Sequence, residues 1–196
     1  KVCNKYKLKH EILSADQKID LAANFLNQEK IIGWFQGRME YGPRALGARS
    51  ILASPQDNNI NNFLNKRLNR TEFMPFAPVT IDELAPICFE NWNDQAECSR
   101  FMTTCYQCTP LMSEKCPATV HIDNTARPQV VRYDDNPDYH ELIKRYYKIS
   151  GRPALINTSF NHHEEPIVCS PEDAVRSFEK GNVDILFMEN IMIKAF

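Results

Sequence analysis

The sequence predicts an α/β protein, in which helices alternate with short buried strands. Two helix-to-strand transitions carry this prediction. Residues 14–29 form an apolar helical pattern and lead directly into the apolar run 31–35, and a helical pattern over 138–149 leads into the apolar run 154–156. A loop rich in glycine or small polar residues follows each run. This order is typical of an α/β protein whose ligand lies at the carboxyl ends of strands.

Length and composition limit the class of protein. With 196 residues and 43% hydrophobic content, the chain can build one sizeable core, and we expect a single domain over residues 1–196. No run of about 18 apolar residues occurs, and the basic segment 1–10 lacks the apolar centre of a signal peptide. We therefore expect a soluble, cytoplasmic protein that does not bind membranes.

The charge distribution points to a small anionic ligand. Net charge is only −2, which argues against nucleic-acid binding. Between residues 38 and 70, however, six lysines and arginines face two acids, so this stretch carries +4 and the rest of the chain −6. A local positive patch on an acidic protein fits a small anion better than a polyanion.

The first helix is predicted by its cap and its apolar face. Ser14 and Gln17 form a capping-box pattern, and the residues that follow at helical spacing are Ile19, Ala22, Ala23 and Leu26. The run 31–35 is then the first buried strand.

A second helix is predicted to begin at Ser54, with Pro55 in its first turn. Its buried stripe is Ile60, Leu64 and Leu68. Lys66, Arg67 and Arg70 lie off that stripe, where they either face solvent or contact a ligand.

The later elements follow the same kinds of signal. Aromatic and β-branched content predicts a strand over 99–106. Ser170 and Pro171 predict a helix start and Gly181 its stop, after which 183–187 and 191–193 are predicted as strands.

Residues 37–50, which we call the arginine loop, combine three glycines, one proline and three arginines. Glycine lets the backbone turn sharply or approach a ligand closely. Arg38, Arg44 and Arg49 supply planar forks suited to carboxylate or phosphate oxygens. The pattern favours an oxyanion site, and the alternative is a solvated turn whose arginines pair with acids elsewhere.

Two further segments hold polar groups. His121, Asp123 and Arg127 lie within seven residues, and strand alternation would place His121 and Asp123 on one face. Arg127 is the stronger ligand candidate, since a histidine is usually a structural hydrogen-bonding group. Residues 157–161 hold Asn157, Ser159 and Asn161 directly after a strand, where they either bind a ligand or satisfy their own backbone.

Seven cysteines without a secretory signal are expected to be reduced thiols. Cys105 and Cys108 have the spacing of a zinc-binding pair, but no second tight pair flanks them. We expect no protein-held metal, and structural zinc remains the alternative.

Four ordered blocks resemble the C-terminal domain of the nodulation-type O-carbamoyltransferase family. The first is the arginine loop, GRMEYGPRALGARS. The others span residues 70–78, 117–131 and 157–168. Departures from the family pattern are Thr71, Met74, Asn124 and Glu164, of which Asn124 and Glu164 replace glycine.

This resemblance implies a YrdC-like fold, which is a twisted open sheet flanked by helices. It also implies that the domain uses ATP and carbamoyl phosphate to make a carbamoyl-adenylate. An N-terminal actin-like domain of the same polypeptide would transfer the carbamoyl group to an acceptor hydroxyl. Because the chain begins at Lys1 and lacks that domain, we expect it to be part of a longer protein.

The resemblance also suggests residue roles. The expected catalytic groups, which would neutralise carbamoyl and phosphate oxygens, are Arg38, Arg44 and Arg49. The expected substrate- and nucleotide-binding groups are Lys66, Arg70, His121, Arg127, Asn157, Ser159 and Asn161. Mg²⁺ would be held mainly by the phosphates of ATP. The alternatives are a non-catalytic nucleotide- or RNA-binding YrdC-like module and a regulatory domain that binds an inert anion.

Overall fold

A computed structural model describes residues 2–69, 76–93 and 97–195. The strands are β1 Glu11–Ile12, β2 Ile32–Phe35, β3 Arg49–Ala53, β4 Ala77–Ile81, β5 Tyr106–Gln107, β6 Thr125–Ala126, β7 Gln129–Val131, β8 Leu155–Ser159, β9 Ile185–Met188 and β10 Ile191–Lys194. The α-helices are α1 Val2–Lys5, α2 Ala15–Asn27, α3 Asn59–Arg67, α4 Ala85–Cys88, α5 Pro110–Lys115, α6 Pro137–Ser150 and α7 Pro171–Glu179. Two 3₁₀ helices span Glu97–Phe101 and Pro117–Thr119.

Eight strands form one mixed sheet in the order β1-β10-β9-β2-β3-β8-β4-β7. Only the β2–β9 and β4–β7 pairs are parallel. The short strands β5 and β6 form a separate antiparallel ribbon. This mixed sheet with helices around it confirms the predicted α/β class.

The two faces of the sheet bury separate apolar clusters. Along β2, Trp34 belongs to the cluster under α2 and α6, and its neighbour Phe35 belongs to the cluster under α3 and α7. Alternate strand residues point to opposite faces, so β2 is buried on both sides. The strands that lead to the arginine loop are therefore held rigidly in the centre of the molecule.

The predicted caps of α2 and α7 and the predicted stop of α7 are confirmed. The Ser14 side chain accepts from the Gln17 amide, and the Gln17 side chain accepts from the Ser14 amide, which completes the capping box of α2. Ser170 caps α7 in the same way. Gly181, the predicted stop, follows the end of α7 with φ +81°, a left-handed conformation that costs glycine least.

The predicted start of the second helix was wrong. The helix begins at Asn59, because the Ser54 hydroxyl is buried and hydrogen-bonds the Tyr146 hydroxyl (2.9 Å) instead of capping a helix. Its apolar stripe is confirmed: Leu64 and Leu68 are buried and Ile60 packs against their cluster.

The predicted strand over 99–106 was also wrong. Its first part is the 3₁₀ helix that ends at Phe101, and only Tyr106 and Gln107 pair as a strand. Arg100 in this helix forms ion pairs with Glu97 and Asp135. These contacts stabilise a turn that the local β-propensity does not favour.

No helix in the described ranges is long and apolar enough to cross a membrane. The longest, α6, has 14 residues, whereas a bilayer needs about 20.

Candidate anion-binding site

The arginine loop connects two antiparallel central strands. It leaves the carboxyl end of β2 and returns as β3, with Phe35 opposite Arg49. The buried pair fixes both ends of the loop, so the positions of its side chains depend on the contacts made within it.

Glu40 organises the loop from inside. Its Oε1 accepts hydrogen bonds from the amides of Leu46 (2.6 Å), Ala48 (2.7 Å) and Arg49 (3.2 Å). Backbone N–H groups converging on one carboxylate form an anion cradle, and here the anion belongs to the protein. Sequence reasoning missed this residue, although an acid inside a glycine–arginine loop was a usable signal.

Two amide side chains tie the loop to the sheet. Asn157 Nδ2 donates to the carbonyl of Ala45 (3.0 Å) and to Gln129 Oε1 (2.7 Å). Gln129 Nε2 then donates to the carbonyl of Leu46 (2.8 Å). Asn157 is buried in the middle of β8, so it fixes the loop to the sheet and has little surface left for a ligand.

Arg44 and Arg127 meet in one cavity of about 100 Å³, which we call the cationic hollow. Its lining is Pro43, Arg44, Ala45, Phe76, Ala77, Met102, Arg127, Asn157, Thr158 and Ser159. Within the described parts of the chain, no carboxylate lines it and neither arginine has an ion-pair partner. The hollow thus brings together two cations from segments more than 80 positions apart.

Electrostatics in the hollow favour an anion. Burial lowers the pKa of Arg127, and the positive charge of Arg44 lowers it further. Like charges that share a partly buried site repel each other, and a bound anion would relieve that repulsion. Two guanidinium forks are suited to phosphate or carbamate oxygens.

A larger cavity of about 510 Å³ adjoins the hollow and shares Pro43, Arg44, Met102 and Arg127 with it. Tyr41 and Phe101 also line this larger cavity. Met102 is buried and has φ +56°, an uncommon backbone conformation for a residue with a side chain. Sequence reasoning missed this contribution of residues 101–103, because it assigned them to a strand.

Arg38 faces a third cavity, of about 340 Å³, which it lines together with Glu40, Leu46 and Arg100. This cavity shares Leu46 and Phe101 with the 510 Å³ cavity. Arg38 is exposed, so it lies beside the cationic hollow and not in it.

Arg49 is placed elsewhere. It is 4% exposed, and its guanidinium donates to the carbonyls of Gln36 (2.9 Å), Ala48 (2.9 Å) and Gly37 (3.1 Å). It also lies 3.6 Å from the centroid of the Phe35 ring. Burial lowers its pKa. These contacts stabilise the base of the arginine loop and do not bring Arg49 into the hollow.

The structure separates the two other polar residues near β8. Ser159 lines the hollow, and its hydroxyl donates to Asn161 Oδ1 (2.6 Å). Asn161 donates onward to the carbonyl of Glu165 (2.8 Å). Asn161 therefore orients Ser159, and it lines none of the three cavities described above.

His121 lies in a turn, so the expected strand alternation of His121 and Asp123 was wrong. Both side chains instead hydrogen-bond Thr125 Oγ1, at 3.0 Å from His121 Nδ1 and 2.7 Å from Asp123 Oδ1. Asn124 has φ +61°, which confirms that asparagine supports the turn expected of glycine. Glu164 likewise has φ +63°.

The expected triphosphate ligands lie away from the hollow or outside the described residues. Lys66 is exposed on α3 and lines none of the three cavities. Its neighbour Arg67 pairs with Asp184 (2.8 Å). Arg70 and Met74 lie outside the described residues.

In the described ranges, one group of side chains has the spacing of metal ligands: Asp82, Glu83 and His140. Asp82 and Glu83 directly follow the last residue of β4. Ala77, at the other end of β4, lines the hollow. The group therefore lies roughly 16 Å from the hollow, which is the length of a five-residue strand. His140 Nε2 hydrogen-bonds Glu83 (2.7 Å). Burial by itself would raise the pKa of Glu83. Hydrogen bonds to Glu83 from Asp82, from the Glu83 backbone and from His140 outweigh burial and lower the pKa of Glu83 to about 2.

The cysteines are free thiols. Cys108 and Cys116 are buried in an apolar cluster, whereas Cys98 and Cys105 are exposed. Burial raises the pKa of both Cys108 and Cys116 to about 12. The two residues of the candidate zinc pair are thus separated, one in the core and one at the surface.

Comparisons with known proteins identify the family of this chain. Residues 23–195 match the family model described as carbamoyltransferase C-terminus. The nodulation protein NolNO of Sinorhizobium fredii is 38% identical over 94% of this chain and 27% of its own length. The chain spans about a third of the length of the curated relatives it matches.

Two solved structures share the fold. Full-length HypF, in a phosphate- and nucleotide-bound form, matches with a TM-score of 0.61 and 19% identity over 90% of this chain and 25% of HypF. Sua5 of P. abyssi, complexed with L-threonine, matches with a TM-score of 0.60 and 15% identity over 90% of this chain and 47% of Sua5. These likenesses confirm the YrdC-like fold, and the match over residues 23–195 shows that the chain belongs to the carbamoyltransferase family, in the region of its C-terminal domain.

Proposed function

We propose that this chain forms a carbamoyl-adenylate from ATP and a carbamoyl group supplied by carbamoyl phosphate. The observation that carries the proposal is the cationic hollow, where Arg44 and Arg127 converge and none of the described lining residues is a carboxylate. Family membership supports the carbamoyl chemistry. The nucleotide and phosphate in the HypF structure support the choice of ATP.

The reaction joins two anions. Carbamoyl phosphate and water give carbamate and inorganic phosphate, and a carbamate oxygen then forms a bond to the α-phosphorus of ATP. The bond from that phosphorus to the bridging oxygen breaks, and pyrophosphate leaves with the electron pair. Positioning and charge neutralisation are the main contributions a protein can make to such a step, so no activated serine or cysteine is required.

The residues divide this work by position. Arg44 and Arg127 would neutralise the phosphate and carbamate oxygens. Ser159, whose hydroxyl hydrogen is donated to Asn161, would accept a hydrogen bond from the carbamate amino group through its hydroxyl oxygen. Arg38, beside the hollow, would contact the leaving pyrophosphate. Arg49, Asn157 and Asn161 would act as positioning residues, because their polar groups are bonded to backbone or to neighbouring side chains.

Mg²⁺ would enter with the phosphates. Among the described residues, no carboxylate lines the hollow, so the donors for the metal would be phosphate oxygens and water, a usual arrangement for Mg²⁺ with nucleotides. Bound there, Mg²⁺ would reduce the charge repulsion between ATP and carbamate.

The remaining steps belong to a longer protein. Because the chain spans about a third of its curated relatives, we propose that an N-terminal actin-like domain of the same polypeptide transfers the carbamoyl group to an acceptor hydroxyl. A cytoplasmic location is part of the same proposal, since ATP and carbamoyl phosphate are cytoplasmic metabolites.

The direct test is ATP–pyrophosphate exchange that depends on carbamoyl phosphate. Arg44→Ala and Arg127→Ala should each lower exchange about 100-fold, the usual effect of removing one preorganised donor at a transition state. Arg176→Ala is the matched control, since Arg176 is exposed, pairs with Asp173 and lines none of the three joined cavities.

The outcomes separate the candidate functions. A nucleotide-binding module would bind ATP but give no exchange in any variant. Tight tRNA binding with a steep salt dependence, without exchange, would favour the RNA-binding alternative. Exchange that survives in Arg44→Ala would remove that arginine from the reaction.

A further inference from the structure

The 510 Å³ cavity beside the cationic hollow has a chemistry that phosphate and carbamate do not use. Its lining is largely apolar and includes two aromatic side chains, Tyr41 and Phe101. The two cavities share Arg44 and Arg127 at their junction. A small cationic space that opens into a larger aromatic one matches the two halves of a nucleotide.

Phe101 is held in place although much of its ring is exposed. The Arg100 guanidinium lies 5.3 Å from the centroid of the ring. Arg100 itself is fixed by two hydrogen bonds to the Asp135 carboxylate, at 2.5 and 3.0 Å, and by an ion pair with Glu97. The ring is therefore supported before any ligand binds, and 48% of Phe101 remains exposed.

The backbone next to Phe101 is held in an uncommon conformation. Met102 has φ +56° and is buried, and it lines both cavities. Such a conformation is strained for a non-glycine residue and tends to occur at ligand sites. It turns the chain so that Phe101 and Met102 both line the larger cavity.

Tyr41 reaches the same cavity from the arginine loop. Its side chain is fully exposed, between Glu40, which is fixed to three backbone amides, and Gly42. An aromatic ring at the mouth of a cavity can offer an apolar face and, in tyrosine, a polar hydroxyl to a ligand. Here the residue that precedes Tyr41 is rigid and the tyrosine ring is free of packing.

We propose that Phe101 and Tyr41 form a stacking platform for the purine ring of a nucleotide whose phosphates lie at Arg44 and Arg127. The proposal rests on the proposed function, because it assigns the base of the same ATP. Stacking uses the face of a base and tolerates a change of its edge groups. Both ATP and GTP should therefore depend on the platform.

The test compares ATP, GTP and inorganic triphosphate by isothermal titration in Mg²⁺. Phe101→Ala should weaken ATP and GTP binding by about tenfold or more, the usual effect of losing one stacking partner, and should leave triphosphate binding unchanged. Tyr41→Ala should act in the same direction. Melting temperature measured for each variant separates loss of stacking from loss of folding.

Phe63→Ala is the matched control. Phe63 is also a half-exposed phenylalanine, at 53%, with an arginine guanidinium 5.8 Å from its ring, but it lies on α3 and lines none of the three cavities. Its loss should leave binding of all three ligands unchanged.

Four results would overturn the platform. Unchanged ATP binding in both Phe101→Ala and Tyr41→Ala would reject it and leave the proposed function intact. Equal weakening of ATP and triphosphate would assign the two aromatics to the phosphate site or to folding. If the wild-type protein binds ATP no more tightly than triphosphate, the larger cavity takes another ligand. If the wild-type protein binds neither ATP nor triphosphate, the platform and the proposed function fail together.

Discussion

Replacing Gly47 by alanine should disrupt the arginine loop more than any other single methyl group added there. Gly47 has φ +105°, where a side chain is strained, and it lies against the ring of buried Tyr139. An added Cβ would lie 2.2 Å from Tyr139 Cδ1 and 2.5 Å from Cε1. The ring is fully buried and cannot rotate away, so the backbone of the loop must move.

Two costs add in this variant. The positive φ costs alanine about 1–2 kcal/mol, and overpacking of a filled core costs about 1–3 kcal/mol. Because both distances from the added Cβ to the Tyr139 ring are far shorter than real contacts, we expect the upper part of these ranges. The free energy of unfolding should fall by about 4 kcal/mol in total. For a chain of this size that corresponds to a fall in melting temperature of roughly 8–16 °C.

Gly42→Ala is the control that isolates the clash. Gly42 belongs to the same loop and has φ +122°, but no atom of the described residues lies within 4 Å of the position its Cβ would take. Gly42→Ala should lower the free energy of unfolding only by the cost of the positive φ, about 1–2 kcal/mol. Urea unfolding of both variants gives the comparison, and equal losses would refute the packing of Gly47 on Tyr139.

The remaining predictions concern the loop carboxylate, the thiols and the acidic end of β4. Glu40→Ala should lose about 3 kcal/mol in urea unfolding, because three amides lose a charged acceptor, and Glu40→Gln, which keeps one acceptor oxygen, should lose less; equal losses would contradict the cradle. Iodoacetamide should label exposed Cys98 in the native protein and Cys116, buried with its pKa raised to about 12, only after unfolding, as peptide mass spectrometry can measure. The folded-state pKa of Glu83 is lowered to about 2, so its stabilisation should be complete above pH 4.5 and lost as pH falls toward 2. The free energies of unfolding of wild type and Glu83→Gln should converge as pH falls over that range. A difference between them that stays constant with pH would show that the contact with His140 does not depend on charge.

Local patterns predicted the elements whose signals lie within a few residues. The capping box at Ser14 and the glycine stop at Gly181 were correct, because caps and helical faces depend on near neighbours in sequence. Ser54 failed as a cap because a residue 92 positions away, Tyr146, takes its hydroxyl. Arg100 similarly holds a turn where β-propensity predicts a strand, through an acid 35 positions away.

In the candidate site, too, some features follow from local sequence and others depend on distant residues. Glycine and arginine in residues 37–50 indicated an anion site, and Arg127 was named as the stronger candidate of its segment. The sequence could not separate the three arginines of the loop, since each has the same chemistry. Their roles depend on whether a guanidinium finds carbonyls nearby, as Arg49 does, or reaches an open cavity, as Arg44 does.

The sequence by itself determined the α/β class, the family and the presence of an oxyanion-type loop, because these follow from periodicity, caps and ordered motifs. The tertiary structure decided which cations share a space, which carboxylate fills the backbone cradle, and which aromatic side chains border the cavity. These arrangements depend on strand order and on loops that meet from distant parts of the chain. No local pattern encodes them, because the sheet places β8 beside β3 and β4 and so brings residues more than 80 positions apart into contact.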